Sequence, residues 1–535
     1  MELALTYITL GVQSVFFDST GAFIWLPVVM VLVGLILGIV IGATPGLNGP
    51  FAMAISLPVL ISIFGTDNDA LLPVLGFLIG VMKGATVGGA VPAILFNTPG
   101  TPDAYLTTLD GYPMARKGQG VKAMKIAHFS SVSGDTCSDI ALFVAAPTLA
   151  ISIEAALDLP EKAALIILSL SFMAAVSGRS VTKGLLTGVF GMLLALVGTT
   201  LSGHGARMAL DIPDLGNGLP LTSAVLGVLV LGEVFTAIED QTRNHKVQSN
   251  LENLVSPGDQ SFRWPDVRRL LPTIGRSAAI GTGIGALPGI GTTLAATLGY
   301  EVARKKSPNK DRFGTGEPEG IAATEAANSA VSGANLIPVM SLGIPGNFAA
   351  VFLILAVESI GDFTFGPQVF RFTEIKVIED YGTIMNEELV IAFGIFTLMV
   401  FGNIFNWSIG RYVMLSLGLL AKIPTTITPA LVLLITLTAA YAQDGGFVAV
   451  FTALGFGLIG YVLRRLDISL LPFVIGFILS PKLEELVRSG YSASGGDPYF
   501  LLKSPIALFF LLTSLAIILR ASQKKDAETL KDTLS

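Results

Sequence analysis

The chain has few of the residues on which soluble enzymes and disulfide-bonded domains depend. Charged residues make up 13% of its 535 residues, and it contains three histidines and one cysteine, Cys137. A single cysteine excludes an internal disulfide. No His/Cys cluster has metal-ligand spacing, no G-x-x-x-x-G-K-[ST] loop for ATP is found, and no nucleophile–base pair stands in a recognisable frame. We therefore expect neither an enzyme nor a resident metal or cofactor.

Basic residues are missing from the N-terminal part of the chain, where the first lysine or arginine is Lys83. A cleavable signal peptide needs a basic n-region, so we expect the first span to stay in the membrane as an uncleaved signal. The net charge of -6 and the pI near 5.3 give no support for nucleic-acid binding.

Apolar sequence is abundant: 52% of the residues are hydrophobic and the mean hydropathy is +0.71. A spanning helix needs about 20 mostly apolar residues, so we predict an all-α polytopic membrane protein with about 10–14 membrane segments in contact with the lipid bilayer. Basic residues concentrate in loops at 116–125, 243–276 and 304–312 and in the tail after Arg520. The positive-inside rule assigns these loops and the C-terminus to the cytoplasm.

An internal repeat is visible in two pairs of Pro-Gly breaks. GATPGLNGP at 42–50 recurs as GALPGIGTT at 285–293, an offset of 243, and PAILFNTPG at 92–100 recurs as PVMSLGIPG at 338–346, an offset of 246. The prediction is a first transmembrane repeat at 1–240, a cytoplasmic linker at 241–276, and a second repeat with C-terminal spans at 277–535. Acidic residues follow the first break whereas basic loops flank 277–300, which favours inverted repeats with re-entrant or broken helices.

Interrupted apolar segments paired in two halves are the best sequence indication of a midplane transport site. Irregular backbone inside a bilayer is tolerated where it lines a cavity, and helix N-termini after each break would attract an anion. The alternative is that the breaks are proline kinks and that Asn and Thr only cap helices. The predicted substrate-binding residues are Gly46, Asn48, Asn97, Thr98, Gly100, Thr101, Gly291, Thr292, Thr293, Gly346 and Asn347.

Several longer motifs resemble one family. GATPGL, NTPGTP at 97–102, LDGYPMARKG at 109–118, EGIAATEAANSA at 319–330, LGIPG at 342–346 and LSPKLEELVRSGYSASGGD at 479–497 are similar to the large membrane subunit of the tripartite tricarboxylate transporters. The resemblance covers about residues 34 to 515. It implies a secondary carrier of small carboxylates in the bacterial inner membrane, a sodium or proton gradient as driving force, and two partners, a small four-helix membrane subunit and a periplasmic solute-binding protein.

The coupling ion has its own candidate residues. Glu325 and Asn328 lie three apart in the family-like EAAN, and Ser341 and Gly343 precede the last break. They could coordinate a cation or contact substrate; the alternative is a helix-start acid and a buried structural amide.

Three acids depart from the family pattern. Asp103 follows NTPGTP, where it would repel an anion or select a ligand with a positive group, unless it faces away. Asp135 and Asp139 lie four apart, on one helix face. Acids inside a membrane are functional candidates by default; the alternative places Asp135 near the interface beside His128. A channel, or a carrier of a non-carboxylate solute with the same broken-helix site, is the rival function.

Overall fold

The structure is a computed structural model that describes residues 2–18, 20–44, 47–98, 101, 104–176, 180–199, 206–209, 215–216, 218–243, 259–289, 291–361, 363–373, 376–378, 382–417, 428–444 and 446–534. Almost all of these residues lie in helices. Two short antiparallel hairpins accompany them, β1 (Gly198–Thr199) with β2 (Ala206–Arg207) and β3 (Lys376–Ile378) with β4 (Gly382–Ile384).

The helices follow one another along the chain, separated mostly by short loops. Those of the first part are α1 (Glu2–Phe16), α2 (Leu26–Gly42), α3 (Gly49–Phe64), α4 (Asn68–Gly88), α5 (Ala90–Phe96), α6 (Tyr105–Met114), α7 (Gly120–Ala156), α8 (Leu159–Val176), α9 (Val181–Ala195), α10 (Leu221–Leu226) and α11 (Gly232–Arg243). Those of the second part are α12 (Trp264–Gly285), α13 (Thr292–Lys306), α14 (Pro318–Ala334), α15 (Leu336–Leu342), α16 (Phe348–Ile360), α17 (Glu387–Phe405), α18 (Arg411–Leu417), α19 (Thr428–Asp444), α20 (Phe447–Arg465), α21 (Leu471–Ala493), α22 (Phe500–Lys503) and α23 (Pro505–Leu534).

Among the described residues, seven helical segments are long and apolar enough to cross a membrane, and six shorter helices are also apolar. A helix satisfies its own backbone hydrogen bonds, which is why such segments are stable in hydrocarbon. The predicted all-α polytopic fold is confirmed. The first helix of the second half, α12, begins at Trp264, inside the predicted linker; the boundaries of the repeats stay a prediction.

The chain forms two compact units. The first contains residues 1–151, 246–287 and 291–424, and the second contains residues 152–245, 288–290 and 425–535. In the second unit α9 and α23 pack on α8, α21 packs on both α8 and α9, and α20 packs on α10, α11 and α19. Its polar contacts include a bidentate pair in which Arg207 donates to both oxygens of Glu484 at 2.9 Å.

The repeat is visible in the helix packing of the first unit. A Cβ on Gly38 of α2 would lie 2.5 Å from the carbonyl oxygen of Val81 on α4. Gly281 of α12 is 243 residues after Gly38, and its Cβ would lie 2.2 Å from the carbonyl oxygen of Ala327 on α14, which is 246 residues after Val81. The offsets equal those of the two pairs of breaks. The pair α2 and α4 therefore corresponds to the pair α12 and α14.

The remaining helices of the repeat pack reciprocally. Helix α3 packs on α4, and its counterpart α13 packs on α14. Helix α16 of the second repeat packs on α3 and α4 of the first, whereas α6 of the first repeat packs on α13 and α14 of the second. When an element of one repeat contacts a second element of the other and the reverse contact is also made, the two repeats are related as by a two-fold axis. Each repeat thus completes the packing of the other.

One loop of the first unit is fixed by a single carboxylate. Asp110 accepts hydrogen bonds at Oδ1 from the backbone N–H groups of Gly314, Gly316 and Glu317, at 2.8 to 2.9 Å. Its Oδ2 accepts from the hydroxyl of Tyr300 at 2.9 Å. The LDGYP motif around Asp110 thereby holds the chain entering α14, the helix that carries Glu325, Asn328 and Ser332.

Glu317, the residue before α14, has two guanidinium partners. Its carboxylate pairs with Arg269 and, at 3.5 Å, with Arg312. Burial raises the pKa of this carboxyl, and the two guanidinium groups act in the opposite direction.

Candidate functional site

The residues after two of the breaks are helix caps. Asn48 Oδ1 accepts a hydrogen bond from the Phe51 N–H at the start of α3, and Asn347 Oδ1 accepts one from the Ala350 N–H at the start of α16, both at 2.9 Å. The capping role that the sequence left open is therefore observed. Each cap uses one amide oxygen, and the Nδ2 donors are not part of it.

The helices that begin at the breaks pair across the two repeats. Helix α3, begun by Asn48, packs on α16, begun by Asn347. Helix α13, begun at Thr292 after Gly291, packs on α6, which follows Thr101. The helix after the first break of each repeat thus packs on the helix after the second break of the other repeat. Gly46, Gly100 and Asp103 lie outside the described residues.

The short helices before the later breaks end in the same conformation in both repeats. Asn97 has φ 55° at the end of α5, and Gly343 has φ 71° at the end of α15. Asn and Gly are the residues that adopt this left-handed backbone most readily. The predicted site residue Asn97 therefore has a backbone role as well. Asn97, Thr98, Gly291 and Thr293 are exposed, and Thr292 is half-buried.

A polar face runs along α14 to the residue after it, and of its three residues only Asn328 was predicted from the sequence. Asn328, Ser332 and Asn335 are spaced four and three apart, which places them on one helix face, and all three are buried. The Ser332 hydroxyl and both amide atoms of Asn335 have no hydrogen-bond partner among the described residues. The sequence signal for Ser332 and Asn335 is their helical spacing, because they lie four and seven residues after Asn328.

Asn335 lies directly beside a break. A Cβ on Gly346 would lie 2.9 Å from Asn335 Oδ1. Because Gly346 has no side chain, the amide of Asn335 has room beside the break. An unsatisfied buried amide costs roughly 1–3 kcal/mol. A polar ligand at the break would remove this cost, because Asn335 can both donate and accept.

The predicted cation ligands are distributed over α14 and α15. Glu325 is buried, and its Oε1 accepts from the Thr107 hydroxyl at 2.5 Å. The Ser341 hydroxyl donates to the Ile337 carbonyl at 2.6 Å within its own helix. A cation role for these residues and for Asn328 and Gly343 stays a prediction.

The second feature missed by the sequence reading is a buried lysine. Lys83 of α4 is 1% exposed, and its ammonium donates to Asp135 Oδ2 at 2.7 Å, Asp139 Oδ2 at 2.6 Å and Asn403 Oδ1 at 3.1 Å. Asn403 Nδ2 also donates to Asp139 Oδ2 at 2.7 Å. We call these four residues the lysine–aspartate cluster. Both aspartates are buried inside the protein.

The lysine–aspartate cluster has two unused acceptors. Asp135 Oδ1 and Asp139 Oδ1 are buried and have no hydrogen-bond partner among the described residues. The cluster also contacts the second repeat, because a Cβ on Gly333 of α14 would lie 2.2 Å from Asp139 Oδ1. The sequence signal for this cluster was Lys83, a single basic residue inside an apolar segment, together with Asp135 and Asp139 on one face of another helix.

The paired breaks, the half-buried caps and the buried polar groups inside apolar helices define a membrane transport protein. Residues 28–475 match the family described as the Tripartite tricarboxylate transporter TctA family, and the chain belongs to that family. It is therefore a multi-pass membrane protein and the large subunit of a tripartite transport system.

Two relatives from Agrobacterium vitis have been compared with the chain. It is 30% identical over 501 residues to the "Uncharacterized 52.8 kDa protein in TAR-I ttuC' 3'region". The aligned region is 92% of this chain and 93% of that relative. It is 30% identical over 248 residues to the "Uncharacterized protein in TAR-II ttuC' 3'region", which covers 45% of this chain and 93% of that relative. No solved structure matches the chain.

Proposed function

We propose that the chain is the permease subunit of a gradient-driven carrier that imports small di- or tricarboxylates across the bacterial inner membrane. The observation that supports this most is the reciprocal pairing of the break helices, α3 with α16 and α13 with α6. We infer that the N-termini of these helices, which come from both repeats, face one substrate region, where their N–H groups would suit a ligand with several carboxylates.

The polar face of α14 supports a polar ligand in that region. Asn335 and Ser332 offer buried donors and acceptors that the described residues do not use, and amides bind a carboxylate without adding charge to the membrane interior. Substrate would arrive from a periplasmic solute-binding protein, and a small four-helix subunit would complete the membrane assembly. The C-terminus would lie in the cytoplasm, following the basic loops.

Replacing Asn335 by alanine tests whether this residue binds substrate or stabilises the fold. We expect the KM for the transported carboxylate to rise roughly fivefold or more, because one ligand hydrogen bond of about 1–3 kcal/mol is lost. We expect no loss of thermal stability, because the variant removes unsatisfied buried groups. The measurement is initial uptake of labelled succinate, malate and citrate into vesicles that contain the chain with its partner subunits, alongside the unfolding midpoint of the purified protein.

Asn386→Ala is the matched control. Asn386 caps α17 and donates to the carbonyls of Val369 and Arg371, so its loss should lower the unfolding midpoint and leave KM unchanged. If the wild type is active and Asn335→Ala has an unaltered KM, Asn335 does not bind the substrate. Counterflow of labelled substrate would support a carrier, whereas flux that does not saturate would indicate a channel.

The role of Asn97 needs a variant that keeps its backbone. Alanine is strained at φ 55°, whereas glycine is not. We expect Asn97→Gly to reduce uptake several-fold without a loss of folded protein, if its side chain binds substrate. Uptake equal to that of the wild type would restrict Asn97 to its backbone role.

A further inference from the structure

The lysine–aspartate cluster has an unbalanced charge. Lys83 supplies one positive charge, Asp135 and Asp139 supply two carboxylates, and Asn403 is neutral. Helix α2, which packs on α4, contains no charged residue. The other titratable groups in this part of α7 and α14 make bonds elsewhere: His128 with the Asn406 carbonyl at 3.1 Å, and Glu325 with Thr107. Helix α16, which also packs on α4, carries Glu358 near its C-terminus, and α17, which carries Asn403, has Glu387 and Glu388 in its first turn. Arg411 of α18 is exposed, with its guanidinium over the Tyr412 ring. Among the described residues, one carboxylate of the cluster is therefore left without a counter-charge.

An uncompensated buried carboxylate costs several kcal/mol, and neutralisation by a proton removes that cost. A sodium ion fits poorly, because the ammonium already occupies the position between the three oxygens and would repel a second cation. Of the two acids, Asp139 is the better stabilised anion, since its Oδ2 accepts from both Lys83 and Asn403, whereas Asp135 Oδ2 accepts from Lys83. The vacant Oδ1 of Asp135 is the place for the proton.

We propose that Asp135 and Asp139 form a proton-binding site in which, with Lys83 charged, the pair holds one proton on Asp135, and that this proton is the coupling ion of the carrier. The coupling role rests on the carrier function proposed above; the bound proton does not. On binding, the proton adds to Asp135 Oδ1, and on release the carboxylate returns to competing with Asp139 for the single ammonium.

Helix α14 connects this site to the substrate region. Gly333 abuts Asp139 Oδ1, and the residues on either side of it in this turn, Ser332 and Asn335, belong to the polar face beside the Gly346 break. A shift of α14 on binding substrate would change the space around Asp139. Both ligands thus act on one helix, which gives a physical route for their coupling.

The first experiment detects the proton without substrate. Infrared spectra of the purified full-length chain at neutral pH should contain the C=O stretch of a protonated carboxylic acid. Asp135→Asn and Asp139→Asn should each remove the intensity of one such group, because Lys83 then has a single carboxylate partner.

Glu325→Gln is the matched buried-acid control and should keep this band. An unchanged band in both aspartate variants, or its loss in Glu325→Gln alone, would overturn the proposal. Raising the pH of the wild type should abolish the band, which tests the site even if a variant fails to fold.

The second experiment tests coupling in vesicles that contain the chain and its partner subunits, with the labelled succinate, malate and citrate. A one-unit pH gradient, acidic outside, can raise accumulation roughly tenfold for each coupled proton. We expect the wild type to respond in this way and Asp135→Asn to respond less than about twofold. A full response in Asp135→Asn, or accumulation driven by sodium and indifferent to pH, would refute the coupling role. No uptake of any probe by the wild type would refute the carrier function and the coupling together, while the infrared result would still decide the proton site.

Discussion

Gly281→Ala is expected to destabilise the protein strongly, whereas Gly283→Ala in the same helix should not. A Cβ at Gly281 would lie 2.2 Å from the Ala327 carbonyl oxygen, so α12 and α14 would have to separate. Overpacking of this kind costs about 3 kcal/mol. A Cβ at Gly283 meets none of the described atoms within 4 Å, and alanine there should stabilise the helix by up to about 1 kcal/mol.

The measurement for this pair is the unfolding midpoint and the yield of monodisperse protein in detergent. Gly38→Ala tests the repeat at the same time, because the corresponding contact with Val81 predicts a loss of similar size. Equal midpoints for Gly281→Ala and Gly283→Ala would contradict the close packing of α12 on α14. A loss in the second repeat alone would contradict the correspondence of the two helix pairs.

Asp110→Ala, in α6, should be the single change that most destabilises the loop preceding α14. It leaves the N–H groups of Gly314, Gly316 and Glu317 and the Tyr300 hydroxyl without their acceptor. The Glu317 N–H and the Tyr300 hydroxyl are buried, whereas Gly314 is exposed and Gly316 is half-buried. Each buried unsatisfied donor costs roughly 1–3 kcal/mol, so the total loss in the free energy of unfolding should be about 3 kcal/mol or more. Limited proteolysis at 307–317 and the unfolding midpoint measure the effect.

Two graded variants accompany Asp110→Ala. Asp110→Asn keeps an oxygen for the three N–H groups and should lose less, and Tyr300→Phe removes one hydrogen bond and should cost about 1 kcal/mol. If Asp110→Ala and Tyr300→Phe shift the midpoint equally, the backbone hydrogen bonds to Asp110 do not hold the loop.

The repeat and its breaks could be predicted from the sequence because their causes are local. Pro-Gly pairs interrupt helices wherever they occur, and asparagine after the break is a cap by its own chemistry. The family motifs added the class of protein. The polar face of α14 was only half visible, since Asn328 stands in a recognisable motif whereas Ser332 and Asn335 are ordinary residues until their burial is known.

Lys83 shows why the lysine–aspartate cluster could not be predicted. In the sequence, this residue marks only the end of a chain segment without basic residues. Its partners Asp135 and Asn403 lie 52 and 320 residues away, so no spacing rule connects them. Asp135 and Asp139 were visible as a pair on one face, but their counter-charge depends on how α4 and α7 meet, which is a tertiary property.

The reciprocal packing of the repeats has a consequence for biogenesis. The surfaces of α3 and α4 receive α16, which begins about 260 residues after α4 ends and leaves the ribosome roughly 10 to 50 seconds later. Through that interval the membrane insertion machinery or lipid must cover helices whose final neighbour has not been made. Neither half can complete its own fold, so the two halves produced as separate chains should be recovered only when they are synthesised together.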